Sequence, residues 1–295
     1  MSRTLTAGLD NTPESLAAAD WAAREAERRD LPLRLVHVHQ PALRGPMPYP
    51  LPEERPEQLK ETLEEAATDL RRRHPAVTIT TEEIVGDPAK TLAALAGDST
   101  DSDEDADTEL LVLGSRGLGG LVGYLLGSVS LPTISHARRP VVAVRASERA
   151  AADSGDVLLG LDPKRPSDDV IAFAFDAAER RAATLRVVHG WTPSPRLGYA
   201  PEQFAPGLMD ALQAEHVEAL AATLRPWREA RPQARVVEQV SQGSPAHQLV
   251  QAAASASLVV LGRRARHTPL TPRIGPITHA LLHHSPTPVA VIPHA

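Results

Sequence analysis

Apolar residues along this chain fall into two kinds of segment that take turns. Short runs such as Leu110-Leu-Val-Leu113 and Val141-Val-Ala-Val144 have the length and branched content of buried strands. Between them lie longer stretches with a helical stripe. Val170, Phe173, Ala174, Ala177 and Ala178 follow the i, i+3, i+4, i+7, i+8 spacing, and Ala18, Trp21, Ala22 and Ala26 stand at matching positions earlier in the chain. The pattern predicts strands near 4–9, 33–39, 77–85, 110–114 and 140–145. It predicts helices near 14–29, 53–73, 88–97 and 127–137, and the second half gives the same order. Apolar strands alternating with helices imply open parallel sheets covered on both faces, an α/β architecture.

The order recurs because the sequence does. Ala7-Gly-Leu-Asp10 returns as Leu159-Gly-Leu-Asp162, and Leu33-Arg-Leu-Val-His37 returns as Leu185-Arg-Val-Val-His189. Gly86-Asp-Pro-Ala89 is matched by Gly243-Ser-Pro-Ala246, and Leu110-Leu-Val-Leu-Gly114 by Leu258-Val-Val-Leu-Gly262. A period this long means duplicated domains rather than a solenoid. The expected domains are 1–148 and 156–295, joined by the polar, alanine-rich stretch Ser147–Asp156. Proline-rich segments after the second strand of each half, Gln40–Pro56 and Thr192–Pro206, read as surface excursions.

Bulk composition narrows the function. The chain has 295 residues, enough for two ordinary domains, and 42% apolar content supports sizeable cores. A net charge of -6 and only 3% aromatic residues give neither a basic surface nor stacking platforms for nucleic acid. No apolar run is long enough to span a membrane, and Met1-Ser-Arg-Thr-Leu-Thr-Ala7 lacks the apolar stretch of a signal peptide. There is no cysteine, so disulfide and thiol chemistry are excluded and a cytoplasmic location is expected.

The densest chemical signal is Gly114-Ser-Arg-Gly117, nine residues, then Gly127-Ser128. It follows a buried-strand pattern and precedes a helical one. Glycines at such a junction let backbone N–H groups approach a phosphate, and a helix N-terminus adds free donors and partial positive charge. Ser128 adds a hydroxyl at the expected N-cap. The alternative is a plain glycine-rich turn. No Gly-Lys-[Ser/Thr] of a Walker loop occurs.

This spacing resembles the nucleotide loop of the universal stress protein family, G-2x-G-9x-G-[ST]. The resemblance covers nearly the whole chain, twice. It implies two tandem open parallel-sheet domains related to the adenine-nucleotide α-hydrolase type, with ATP, accompanied by Mg, at the carboxyl ends of the strands. By the same resemblance Gly114, Gly117, Gly127 and Ser128 match the phosphate loop. Asp10 matches the pocket acid, whose role is either polar contact or help to a metal. Val38 matches the position whose backbone meets adenine. Arg116, between the first two glycines, either reaches a phosphate or is a solvated loop residue. The family also pairs through its last strand, which implies an internal pseudo-dimer contacting near 140–145 and 288–292, and a homo-oligomer built on it.

The second half departs from the motif, reading Gly262-Arg-Arg-Ala265, nine residues, Gly275-Pro276. Ala265 adds a Cβ, and Pro276 removes a hydroxyl and an N–H. Hydrogen bonds to charged groups are worth ~1.5–3 kcal/mol each, so losing two predicts roughly two to four decades in affinity. ATP is therefore expected in the first half and weak or absent in the second. Arg263, Arg264, Arg266 and Arg273 either hold an anion or, the reading favoured by sequence, face solvent.

Other signals carry less. The acidic run from Asp98 to Glu109 lacks the glycine and the final glutamate of a calcium loop and reads as a solvated insertion. His37 with His39, and His279 with His283, share faces but lack a third ligand, so no metal site is assigned. No Gly-x-Ser-x-Gly elbow occurs, and no second carboxylate obviously pairs with Asp10, so no catalytic residue is assigned. The expected function is an ATP-binding regulatory stress-response protein acting on an unknown protein partner. The alternatives are a slow ATPase or nucleotide hydrolase, and a nucleotide-independent interaction protein.

Overall fold

The structure is a computed structural model that describes residues 3–39, 56–97, 107–115, 127–147, 154–193, 207–264 and 274–295. The chain forms two compact units, Met1–Ala151 and Ala152–Ala295. The first contains β1 (Thr4–Gly8), α1 (Pro13–Arg29), β2 (Leu33–His39), α2 (Pro56–Arg73), β3 (Ile79–Val85), α3 (Pro88–Leu95), β4 (Thr108–Gly114), α4 (Ser130–His136) and β5 (Val141–Val144). The second contains β6 (Asp156–Gly160), α5 (Asp168–Arg180), β7 (Leu185–Trp191), α6 (Leu208–Ala230), β8 (Val236–Gln242), α7 (Pro245–Ala253), β9 (Ala256–Arg264), α8 (Pro276–His284) and β10 (Val289–His294).

In the first unit the strands are parallel in the order β3-β2-β1-β4-β5. The second repeats this as β8-β7-β6-β9-β10. Each unit is thus an open parallel α/β sheet, as the alternating pattern implied. In this order the connections reverse direction between β1 and β4, and again between β6 and β9. Such a switch point opens a crevice at the carboxyl ends of the two strands. Gly114 ends β4 there.

The central strands are buried on both faces, which is why they read as continuous apolar runs: Leu110 to Leu113 and Val141 to Val144 are all at most 3% exposed. Helix α1 meets the sheet through small residues, with Ala18, Ala22 and Ala26 fully buried beside Trp21. In α5 the buried stripe runs through Val170, Ile171, Ala174, Phe175, Ala177 and Ala178. Phe173, expected in that stripe, is only half-buried. Phe175 takes the deeper position and stacks on Trp227 of α6 at 6.0 Å.

Two further expectations change. Asp107, just before β4, and Glu109 are both held in ion pairs. Arg34 holds Asp107 at 2.9 Å, and Glu109, inside β4, is paired with Arg29 at 3.2 Å. Residues 98–106, most of the acidic run, lie outside the described residues, as do 40–55 and 194–206 of the proline-rich segments. Among the described residues no helix is long and apolar enough to cross a membrane.

Candidate functional site

The crevice of the first unit holds a cavity of about 210 Å³. Its walls include Asp10, Val38, Gly114, Gly127 and Ser128, so five of the seven residues singled out by sequence meet in one place. Arg116 and Gly117 lie outside the described residues. Leu9, Val36, Pro88, Leu92 and Leu113 supply an apolar floor.

The glycines of the motif stand there for different physical reasons. A Cβ on Gly114 would lie 2.7 Å from the Ser15 amide nitrogen and 2.8 Å from the Glu14 carbonyl carbon. Gly114 therefore lets the first turn of α1 press onto the end of β4, a packing role. Among the described residues a Cβ on Gly127 would meet only Ser130 Oγ, at 3.8 Å. Among the described residues none packs closely enough on Gly127 to call for glycine there.

Helix α4 starts later than the sequence suggested. Its N-cap is Val129, which offers no capping side chain, and Ser128 is an exposed residue just before it. The expected N-cap role of Ser128 is thus corrected. Ser130 instead donates its hydroxyl to the Gly114 carbonyl at 2.8 Å and ties the start of α4 to the end of β4. Thr12, the N-cap of α1, accepts from the Ser15 amide at 3.2 Å. Asp10 Oδ1 accepts from the Thr12 hydroxyl at 2.6 Å and from its amide at 3.2 Å, so one carboxylate oxygen braces the turn into the helix.

The sequence reading missed Glu14. No second carboxylate was expected beside Asp10, yet Glu14, in the first turn of α1, lines the same cavity. Thr12-Pro13 is a helix-start signal that puts Glu14 one turn from Asp10, and could have located it. Among the described residues, no Lys, Arg or His lines this cavity.

The second unit has a cavity of about 560 Å³ at its own switch point, with a different lining. Arg263 and Arg264 were expected in a solvent-facing loop. They lie instead at the end of β9, paired with Pro293 and His294 of β10, and Arg263 is only 6% exposed. The β9–β10 ladder runs two pairs past Gly262↔Ile292, whereas β4–β5 stops at Gly114↔Val144. Gly275 and Pro276 open α8 as N-cap and first helical residue, and Gly275 gives no side-chain cap. Ala265, Arg266 and Arg273 lie outside the described residues.

Two histidines repeat one structural bond. His37 Nδ1 lies 2.7 Å from the Leu9 carbonyl, and His189 repeats that bond to Leu161 at 3.0 Å. Burial pushes the His189 and His216 pKa values below the ordinary range. His279 and His283 face each other at 3.2 Å. Among the described residues, no three potential metal ligands come together.

Comparison with known proteins follows the repeat. The universal stress protein family model matches residues 1–145 and again 155–293. Universal stress protein Rv2005c of Mycobacterium tuberculosis is 32% identical over 295 residues, spanning 96% of this chain and 95% of its own. A universal stress protein of Mycolicibacterium smegmatis is 32% identical over 297 residues, spanning 97% and 95%. Among solved structures, a universal stress protein from Archaeoglobus fulgidus aligns over 100% of both chains with a TM-score of 0.70 at 16% identity, a likeness of fold.

Proposed function

This chain belongs to the universal stress protein family, and on that premise we propose that it is a stress-related regulatory protein that holds Mg–ATP in its first unit. The observation that carries the reading is the cavity that gathers Asp10, Val38, Gly114, Gly127 and Ser128 at the switch point of the first unit. A glycine on which no described residue packs is a position where a ligand can come close to the backbone.

The residues present fit such a ligand in parts. The apolar floor around Val36, Val38, Pro88 and Leu92 suits a base, and Val38 would meet it through its backbone. At about 210 Å³ the cavity is below the size that encloses a whole ligand. It suits the base end, with the phosphates at the mouth beside Gly127 and Ser128. Arg116 and Gly117 belong to the same loop in the sequence and complete the proposed set. Asp10 and Glu14 would repel bare phosphates. Magnesium bound by one or two carboxylates together with phosphate oxygens resolves that conflict. The cation supplies charge neutralisation, and no residue is assigned a catalytic step.

The reading is tested by thermal unfolding with and without millimolar Mg–ATP. A ligand of the native state must raise the midpoint by mass action. The wild type should shift further than Gly127→Val, although both should unfold at similar temperatures without ligand. Absence of a shift in the wild type would leave a nucleotide-independent interaction protein as the better account.

A further inference from the structure

The second cavity is more than a degenerate copy of the first. Its lining carries Arg165, Arg264 and His294, with Asp162 as its carboxylate, whereas the described lining of the first carries Asp10 and Glu14 and no cation. Among the described residues Arg165 and Arg264 make no ion pair. Arginines standing free at a concave site are unspent charge-assisted donors. Arg263 also reaches the cavity, but it is buried and has partners within the fold.

The placement follows from the extended ladder. His294 and Arg264 are cross-strand partners, the last pair of β9 and β10. His294 Nε2 lies 2.8 Å from where a Cβ on Gly262 would sit, so the imidazole covers the first glycine of the altered motif. Arg165 comes from the other side, in the turn between β6 and α5. The first turn of α8, with Ile277 and Thr278 on the wall, adds N–H groups that no side chain caps. The place of Val38 is taken by Gly190, against which Pro245 packs so closely that a Cβ would lie 2.7 Å from its Cα. The wall that meets a base in the reading of the first unit is therefore rebuilt here, while the cationic side is enlarged.

We propose that the second unit binds a phosphate-bearing polyanion through Arg165, Arg264 and His294, and that it does so without reading a base. The site goes beyond the nucleotide reading of the first unit and does not depend on it. Its chemistry accepts phosphate groups from a nucleotide or from a base-free polyphosphate, and the test separates the two.

Isothermal titration with inorganic tripolyphosphate would be run on the wild type and on Gly127→Val, Arg264→Gln and Arg165→Gln. One equivalent should bind the wild type and the Gly127→Val variant alike. Arg264→Gln and Arg165→Gln should each weaken it about tenfold, the worth of one charge-assisted hydrogen bond. Neither arginine has a described ion-pair partner to orphan. Should Arg264→Gln nevertheless fail to fold, Arg165→Gln, on an exposed turn, carries the test alone. ATP added to Gly127→Val should compete through its phosphates and bind no tighter than tripolyphosphate. The proposal is overturned by no binding at millimolar tripolyphosphate, by affinity unchanged in both arginine variants, or by ATP binding where tripolyphosphate does not. Loss of tripolyphosphate binding in Gly127→Val alone would also overturn it, by moving the anion to the first unit.

Discussion

Asp10 and Glu14 both line the first cavity, and negative charge there works against a phosphate ligand unless a cation offsets it. That conflict makes Glu14 a sharp probe. Removing magnesium with a chelator should weaken ATP binding by the wild type about tenfold or more, as phosphates then face Asp10 and Glu14 directly. Glu14→Gln should depend less on magnesium and bind better than the wild type in the chelator. Equal affinities of both proteins with and without magnesium would contradict the assignment. A second residue-scale effect belongs to His189, on the wall of the second cavity. His189 Nδ1 donates to the Leu161 carbonyl, so its neutral ring accepts at Nε2 from His216 Nδ1 at 3.0 Å. Both rings resist protonation because of burial, and both have pKa values below the ordinary 6.5. The unfolded chain therefore takes up protons that the native state refuses. The stability contributed is fully present above pH 6.5 and is lost as pH falls through 6.5 towards the lower native values. Urea midpoints should drop between about pH 7.5 and about pH 5.5, and the drop should shrink in His216→Gln.

At the scale of elements, the two described glycines of one motif should behave oppositely. Gly114→Ala pushes a methyl into the backbone of α1 at 2.7 Å. Overpacking of that kind costs about 1–3 kcal/mol, read as a lowered denaturant midpoint. Gly127→Ala meets no described atom closer than 3.8 Å and should leave stability unchanged while weakening nucleotide binding. Equal destabilisation by both would remove the distinction between packing and ligand approach. The sequence made the strands legible because burial on both faces writes them as unbroken apolar runs, and β2 occupies 33–39 as predicted. It was less clear about ends. Val129 gives no polar signal for the start of α4, so Ser128 looked like the cap. Arg263 and Arg264 look like loop residues until Pro293 and His294 are seen to pair with them. Strand pairing is set by a partner distant in sequence, and no local pattern reports it.

In the molecule as a whole, duplication has given two switch-point cavities from one topology, and their described linings differ in charge. The apolar framework that places them was readable from the repeat. Of the residues singled out by sequence, Gly114, Gly127 and Ser128 by motif spacing and Asp10 and Val38 by resemblance line the first cavity, whereas Arg165 and His294 came into view only when the chain folded. The central claim, one magnesium nucleotide in the first unit, is tested most directly by counting. Native mass spectrometry with Mg–ATP, in excess tripolyphosphate to occupy the second cavity, should show one ATP per wild-type chain and none in Gly127→Val. No ATP on the wild type, or one ATP retained in Gly127→Val, would contradict the account.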